Sequence, residues 1–273
     1  EKLTEKSALP GGEPLLGATI ECECGRTHTV PVDAFVYADD ACEALIGFLR
    51  LITEGRAAAV VADARTREIV GLDIEHALTD AGWRVAAIIV PDGPSGSPVC
   101  DGKTREWLAA ADGARECDVM IAAGSGVIND LTKWLCGDRD IPYVVMATAA
   151  SMNGYSSSNV APAIDGVKKL IRANAPRGVF ARPRDIESAP YELTAAGLGD
   201  VIAKPVSTAD WRMNQILFDE HFCPRCASLI NDIEPRYRDA PEKLAARDPV
   251  AVGALFEALV YSGFAMTMMG TSR

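Results

Sequence analysis

Three stretches of this chain hold residue types that do chemistry in combination. In the first, Gly124-Ser125-Gly126 closes an apolar run and opens a pattern of helical spacing through Val127, Ile128, Leu131 and Trp134. Such a glycine turn exposes backbone N–H groups at a helix N-terminus, where the dipole attracts phosphate. Gly124, Ser125, Gly126, Val127, Ile128, Asn129 and Asp130 are therefore the candidate cradle for a nucleotide pyrophosphate. Asp130 and Lys133, three residues apart, are also spaced to pair with each other. In the second stretch, Thr148, Ser151, Asn153 and Ser157 follow an apolar run and bring hydroxyls and an amide into a Gly/Ser-rich loop. In the third, Asp200 follows Gly197 and Gly199 where the pattern begins a helix, an acid that the helix dipole favours, with Lys204 four residues on as a possible partner.

Further candidates stand outside these stretches. Asp63 ends an apolar strand pattern, a place suited both to hydrogen-bonding a ribose and to capping the helix expected from Arg65. Lys168 and Lys169 follow Gly166 and offer two point charges to a phosphate, or simply a solvated turn. Two cysteine/histidine triplets, Cys22-x-Cys24 with His28 and His221-x-Cys223-x-x-Cys226, supply three soft ligands each. A structural zinc takes four, and nothing in the sequence names the fourth. The eight cysteines are expected as free thiols rather than a disulfide framework.

The elements that must position these residues follow from periodicity. Residues 19–23 and 28–32 flank a Gly25-Arg26 turn and read as a hairpin, and 41–53 is an amphipathic helix. Apolar runs at 57–62, 85–90, 119–123 and 143–147 read as strands, with helical patterns at 65–81, 101–111 and 126–134 between them. Strands alternating with helices imply a parallel sheet with helices on both faces and a ligand crevice at the strand C-termini. Residues 91–98 form a Pro/Gly/Ser loop, a candidate flap, and 160–171 a further element. Residues 178–181 read as a short strand, and 182–190 as a linker.

From Tyr191 onward every pattern is helical, so the expected division is an α/β domain over 1–190 and an all-α domain over 191–273. Pro205 should disturb its helix locally, since proline cannot donate the i→i−4 bond. Residues 232–246 read as a charged surface segment. Residues 251–269 are about as long as a membrane span but contain Glu257 and two glycines, so a buried core helix is the better reading. A 48% hydrophobic composition over 273 residues supplies ample core, and a net charge of −11 argues against a nucleic-acid binder. No secretory signal precedes the first strand, so the expected setting is cytoplasmic, without membrane or nucleic-acid partners.

In order, GSGxxxDxxK at 124–133, TAxSMxGYSS at 148–157 and AAGLGDxxAK at 195–204 resemble the sn-glycerol-1-phosphate dehydrogenase family. That family lies within the larger group of iron-type alcohol dehydrogenases, glycerol dehydrogenase and dehydroquinate synthase. The resemblance runs from about Cys22 to the C-terminus. It implies a Rossmann-like α/β domain followed by an all-α domain, here apparently truncated, and a homo-oligomer. It further implies NAD or NADP held by the 124–130 turn, Asp63, Thr148, Ser151 and Ser157, and hydride transfer to a small phosphorylated polyol substrate met by Asn153, Lys168 and Lys169. Asp200 would bind the metal, zinc or alternatively nickel, and Asn153 stands where relatives place an aspartate. An amide can bond a hydroxyl there but cannot act as a base.

The family takes two histidine ligands from its helical domain, the first shortly after a Ser-Arg dipeptide. This chain stops at Ser272-Arg273, and its histidines are His28, His76 and His221, none in a matching context. The expectation is a catalytically incomplete chain whose downstream region exists elsewhere. Two other readings stay open: a dehydroquinate-synthase-like lyase and a noncatalytic nucleotide-binding relative.

Overall fold

The computed structural model describes residues 15–238 and 241–269. Its strands are β1 (Thr19–Glu21), β2 (Thr27–Thr29), β3 (Ala34–Tyr37), β4 (Ala57–Ala62), β5 (Arg84–Ile89), β6 (Val119–Gly124), β7 (Tyr143–Ala147), β8 (Asn159–Val160), β9 (Ala163–Ile164), β10 (Val167–Lys168), β11 (Ile171–Arg172) and β12 (Gly178–Ala181). Its helices are α1 (Ala41–Ile52), α2 (Ala64–Thr66), α3 (Leu72–Asp80), α4 (Gly102–Ala110), α5 (Asp112–Arg115), α6 (Gly126–Arg139), α7 (Pro183–Ser188), α8 (Tyr191–Phe218), α9 (Pro224–Asn231), α10 (Glu234–Arg238), α11 (Pro241–Ala245) and α12 (Pro249–Met269). A π-helical turn, Arg67–Gly71, joins α2 to α3.

Six strands form one parallel sheet in the order β3-β12-β7-β6-β4-β5. Every residue of β4, β6, β7 and β12 is buried, because helices cover both faces. On one face α1 and α3 contribute Leu45, Phe48, Leu49, Ile74 and Leu78. On the other, α4 and α6 contribute Leu108, Leu131 and Leu135, and the same core runs on without a break into α12. Phe256 of α12 lies 6.0 Å from Phe35, 5.4 Å from Tyr37 and 5.8 Å from Tyr155 between ring centres, so the helical region is seated on β3 and the 3-10 turn Asn153–Tyr155. α12 is long and apolar enough to cross a membrane, yet 72% of that window is buried against protein. It is a core helix, as its glycines and Glu257 suggest.

Strand order also fixes where a crevice must lie. From β4 the chain crosses to β5 on one side, and from β6 to β7 on the other. Connections that diverge between neighbouring strands leave a gap beyond their C-termini, and β4 and β6 are those strands.

Several expectations need correction. Residues 160–171 are two short antiparallel ladders, β8 with β11 and β9 with β10, turned by Asp165 and Gly166 at φ 53° and 75°. The expected linker contains α7, started by Pro183, whose missing N–H costs nothing in a first turn. The segment expected as charged surface is α10 and α11, which bury Tyr237 and Leu244. Asp200 is the tenth residue of α8, so a dipole preference for its N-terminus does not explain this acid.

α8 also runs unbroken past Pro205. Proline leaves the carbonyl four residues back without its helical donor, and that carbonyl belongs to Val201. The Tyr237 hydroxyl, from α10, donates to it at 3.3 Å. A residue 36 positions away thus supplies the bond that the proline withholds.

Candidate active site

A cleft of about 490 Å³ opens at the C-terminal ends of β4 and β6. Ser125, Gly126, Val127, Ile128 and Asp130 line one side, Asp63 and Arg65 another, and Ser151 and Lys168 the rest, with Leu193 and Ala196 of α8 at the rim. A larger cavity of about 620 Å³ lies at the amino end of β7, beside Asp140, Tyr143 and Arg177. None of the residues singled out for chemistry lines it. The strand C-termini are the better candidate because the turn, the hydroxyl loop and a cation meet there.

The two glycines of the turn do different things. A Cβ on Gly124 would fall 2.9 Å from Ile128 Cβ, so this glycine lets α6 pack close to β6. A Cβ on Gly126 would meet nothing within 4 Å, so the backbone there faces open space. Ser125 is the N-cap of α6 but its side chain makes no capping bond. The first N–H groups of a 14-residue helix therefore point, uncapped by Ser125, toward the cleft, a cradle that a pyrophosphate fits.

Asp63 realises its capping role. Its Oδ1 accepts from the N–H groups of Arg65 (2.8 Å) and Thr66 (2.9 Å), and Thr66 Oγ1 accepts from Asp63 N–H at 3.0 Å, a reciprocal capping box. Its Oδ2 remains beside Arg65 at 3.4 Å. Arg65, which the sequence reading passed over as a helix start, also holds Asp92 at 2.7 Å and the Gly96 carbonyl at 3.3 Å. It thereby fastens the Pro/Gly/Ser loop over the cleft, where Ser97 and Pro98 join the lining. Cys100 lies there too, but burial pushes its thiol up to about 12, which leaves it neutral and a poor nucleophile.

Asp130 and Lys133 do not hydrogen-bond to each other among the described contacts. Asp130 accepts from the Asn129 side-chain amide at 3.2 Å and from Ala161 N–H at 3.3 Å. Lys133, fully buried, donates to the Gly154 carbonyl at 2.5 Å and the Asn159 carbonyl at 3.1 Å. Asn129 also donates to Gly154 O, at 3.2 Å. Three polar residues of α6 thus hold the hydroxyl loop in place. Burial lowers the Lys133 ammonium to about 8, and it raises the Asp130 carboxyl, which Lys133 partly offsets.

Of the loop hydroxyls, only Ser151 lines the cleft. Thr148 is buried at the end of β7, and Ser157 reaches the Asn159 carbonyl at 3.5 Å. Ser156 and Ser158, neither singled out from the sequence, donate to the Val260 carbonyl (2.6 Å) and Thr267 Oγ1 (3.2 Å) of α12. The loop is bolted to the helical region on that side. Lys169 stands outside the lining, its N–H bonded to the Pro162 carbonyl at 2.9 Å.

Asp200 adjoins the same loop. Its Oδ2 accepts from Asn153 N–H at 2.7 Å, and its Oδ1 pairs with Lys204 Nζ at 2.8 Å. The Asn153 amide nitrogen lies 2.8 Å from Met266 Sδ rather than in the cleft lining. Among the described residues, Asp200 belongs to no group of three or more side chains placed to share a cation. Asp200, held by an ammonium and an amide N–H, is one carboxylate of the ligand set that the resemblance implies, and by itself it does not complete a divalent-metal site.

Residues 36–190 match the family described as iron-containing alcohol dehydrogenase. The glycerol-1-phosphate dehydrogenase [NAD(P)+] of Geobacillus stearothermophilus is 32% identical over 95% of this chain and 64% of its own length. The enzyme of the same name from Bacillus subtilis (strain 168) is 28% identical over 91% of this chain and 62% of its own length. The chain thus spans less than two thirds of these relatives. An iron-containing alcohol dehydrogenase from Thermotoga maritima superimposes with a TM-score of 0.69 over 89% of this chain and 69% of that one, at 19% identity. At that identity the likeness is one of fold.

Proposed function

This chain belongs to the iron-containing alcohol dehydrogenase family, and from that premise we propose that it is the cofactor-binding portion of an NAD(P)-dependent oxidoreductase acting on a glycerol phosphate. The reaction is dihydroxyacetone phosphate plus NAD(P)H plus a proton, giving sn-glycerol 1-phosphate and NAD(P)+. What supports this reading above all is the single cleft that joins the uncapped start of α6 to Ser151 and Lys168 at the strand C-termini. The relatives that name the substrate pair are similar along nearly the whole chain.

In this reading residues 1–190 hold the cofactor and 191–273 begin the helical lobe that closes over the substrate. The N–H groups of Gly126, Val127 and Ile128 bind the pyrophosphate, with no side chain at Gly126 to hinder approach. Asp63 Oδ2 and Arg65 stand together toward the ribose. A carboxylate there disfavours a 2′-phosphate and a guanidinium favours one, so the pair is suited to both cofactors. Ser151 meets the nicotinamide end, and Lys168, an exposed cation at the mouth, meets the substrate phosphate. A bound nicotinamide cofactor supplies the hydride; the protein's part is to orient it and to shield it from water.

A second reading, a noncatalytic nucleotide-binding relative, draws on the Asp200–Lys204 pair and on Asn153. Titration of the chain with NADH and NADPH, followed by nicotinamide fluorescence, tests the shared premise. Gly126→Val should abolish binding, and unchanged affinity would sink the cleft assignment. Loss of reduced-nicotinamide absorbance on adding dihydroxyacetone phosphate to the protein then separates enzyme from binding module.

A further inference from the structure

The two cysteine/histidine triplets, each one ligand short, come together in space. Cys22 and Cys24 lie in the turn between β1 and β2, His28 in β2, and Cys223 at the N-cap of α9. His28 Nε2 stands 3.2 Å from Cys24 Sγ and 3.3 Å from Cys223 Sγ, and Cys22 Sγ is 3.7 Å from Cys223 Sγ. All four donor atoms fall within 4.8 Å of one another. Ligands about 2.3 Å (sulfur) and 2.0 Å (nitrogen) from a tetrahedral zinc are separated by about 3.8 Å for S···S and about 3.5 Å for S···N. The three shortest spacings sit at or slightly inside those values. We propose that Cys22, Cys24, His28 and Cys223 bind one structural zinc ion that clamps the N-terminal hairpin to the helical region.

The surroundings are built for it. His28 is 2% exposed and Cys223 fully buried, an arrangement that apolar residues would fill better if nothing were bound. His28 Nδ1 donates to the Met268 carbonyl at 3.0 Å, which fixes the tautomer and leaves the Nε2 lone pair facing the three sulfurs. Cys223 Sγ accepts from Cys226 N–H at 3.4 Å as the N-cap of α9, which holds the sulfur facing His28. Cys226 Sγ, 4.0 Å from His28 Nε2, lies beside the four and is assigned no bond to the metal. His221 stays outside the group. The clamp would close a loop of about 195 residues and act on α9 and α12 together through His28.

The test is metal analysis of the full chain, purified without chelator and dialysed against zinc and then buffer. About one zinc per chain is expected. It should survive Asp200→Asn, which separates this site from any metal at the α8 carboxylate, and survive Cys226→Ala. Cys22→Ala and Cys223→Ala should lose it. In case those two fail to fold, the unmodified chain refilled with cobalt provides a second readout. Thiolate-to-cobalt charge-transfer bands with the strong visible bands of a tetrahedral ion are expected. A chain that retains no zinc, a Cys22–Cys223 disulfide found by mass spectrometry of unreduced protein, or the weak spectrum of octahedral cobalt would each overturn the proposal. Zinc that leaves with Cys226→Ala would overturn the ligand assignment.

Discussion

Pro205 and Tyr237 offer a direct measurement of how a helix accommodates an internal proline. The Val201 carbonyl is buried with its residue at 1% exposure, and so is Tyr237 at 1%. With no N–H at position 205, the Tyr237 hydroxyl donates to that carbonyl at 3.3 Å. Tyr237→Phe removes that donor and leaves a buried acceptor unmet, which costs about 1–3 kcal/mol. In a Pro205→Ala background the backbone N–H at 205 returns to the Val201 carbonyl. Tyr237→Phe should then cost about 1 kcal/mol or less, the ordinary net worth of a hydrogen bond whose acceptor keeps another partner. Pro205→Ala alone should stabilise by about 1–3 kcal/mol. That is the propensity difference of about 3 kcal/mol reduced by the freedom regained in the unfolded chain. The assay is urea unfolding of the four proteins of the double-mutant cycle, with unchanged slopes, and the expected coupling is about 1–2 kcal/mol. Equal costs for Tyr237→Phe in both backgrounds would refute the rescue of Val201 by the tyrosine.

Two further perturbations read the same lobe contact and the α6 network. A Cβ on Gly197 would lie 2.0 Å from the Ala150 carbonyl oxygen, whereas one on Gly199 would meet nothing within 4 Å. In thermal unfolding Gly197→Ala should therefore destabilise by about 1–3 kcal/mol, and Gly199→Ala should stabilise by about 1 kcal/mol. Shifts of the same sign would show that α8 does not press on Ala150. For Lys133, the folded chain releases its proton near pH 8 while the unfolded chain holds it to about 10.5. The unfolded state then binds more protons between those values, so this lysine makes stability rise with pH across that window, by about 3 kcal/mol at most. Buried thiols such as Cys42, raised to about 11 by burial, pull stability down over part of the same range. The lysine's share is read as the difference between the unmodified protein and Lys133→Met in chemical denaturation, and a flat difference from pH 8 to 10.5 would refute the burial of a titrating ammonium.

What periodicity reveals in this chain is whatever a continuous segment decides by itself. β4, β6 and β7 are legible as unbroken apolar runs because a parallel sheet covered on both faces buries every position. The glycine turn before α6 is legible for the same local reason, since the strand, the turn and the helix lie in one stretch. β3 escapes such reading: four residues long, it takes its place in the sheet by pairing with β12, some 140 positions on. α7 hides in a Pro-rich linker, and Lys133 looks like a surface helix residue until the 154–159 loop folds over it.

The features invisible to local pattern share one form, in which a deficit in one segment is met by a distant one. The Val201 carbonyl lacks a donor and Tyr237 brings it; Gly197 lacks a side chain and the Ala150 carbonyl occupies the room. The hairpin triplet lacks a fourth ligand and Cys223 stands at the vacant corner. Each deficit looks like a defect when read alone, a proline in a helix, a glycine in a helix, an incomplete metal motif. Each also joins α8 or α9 to something outside its own segment: the tail of the helical region, the hydroxyl loop or the N-terminal hairpin. A helix that met its own needs throughout could slide along its neighbours at little cost, since apolar contacts are not directional. These fixed points are what hold Asp200 and its helix in register with the loop that carries Ser151 and Asn153.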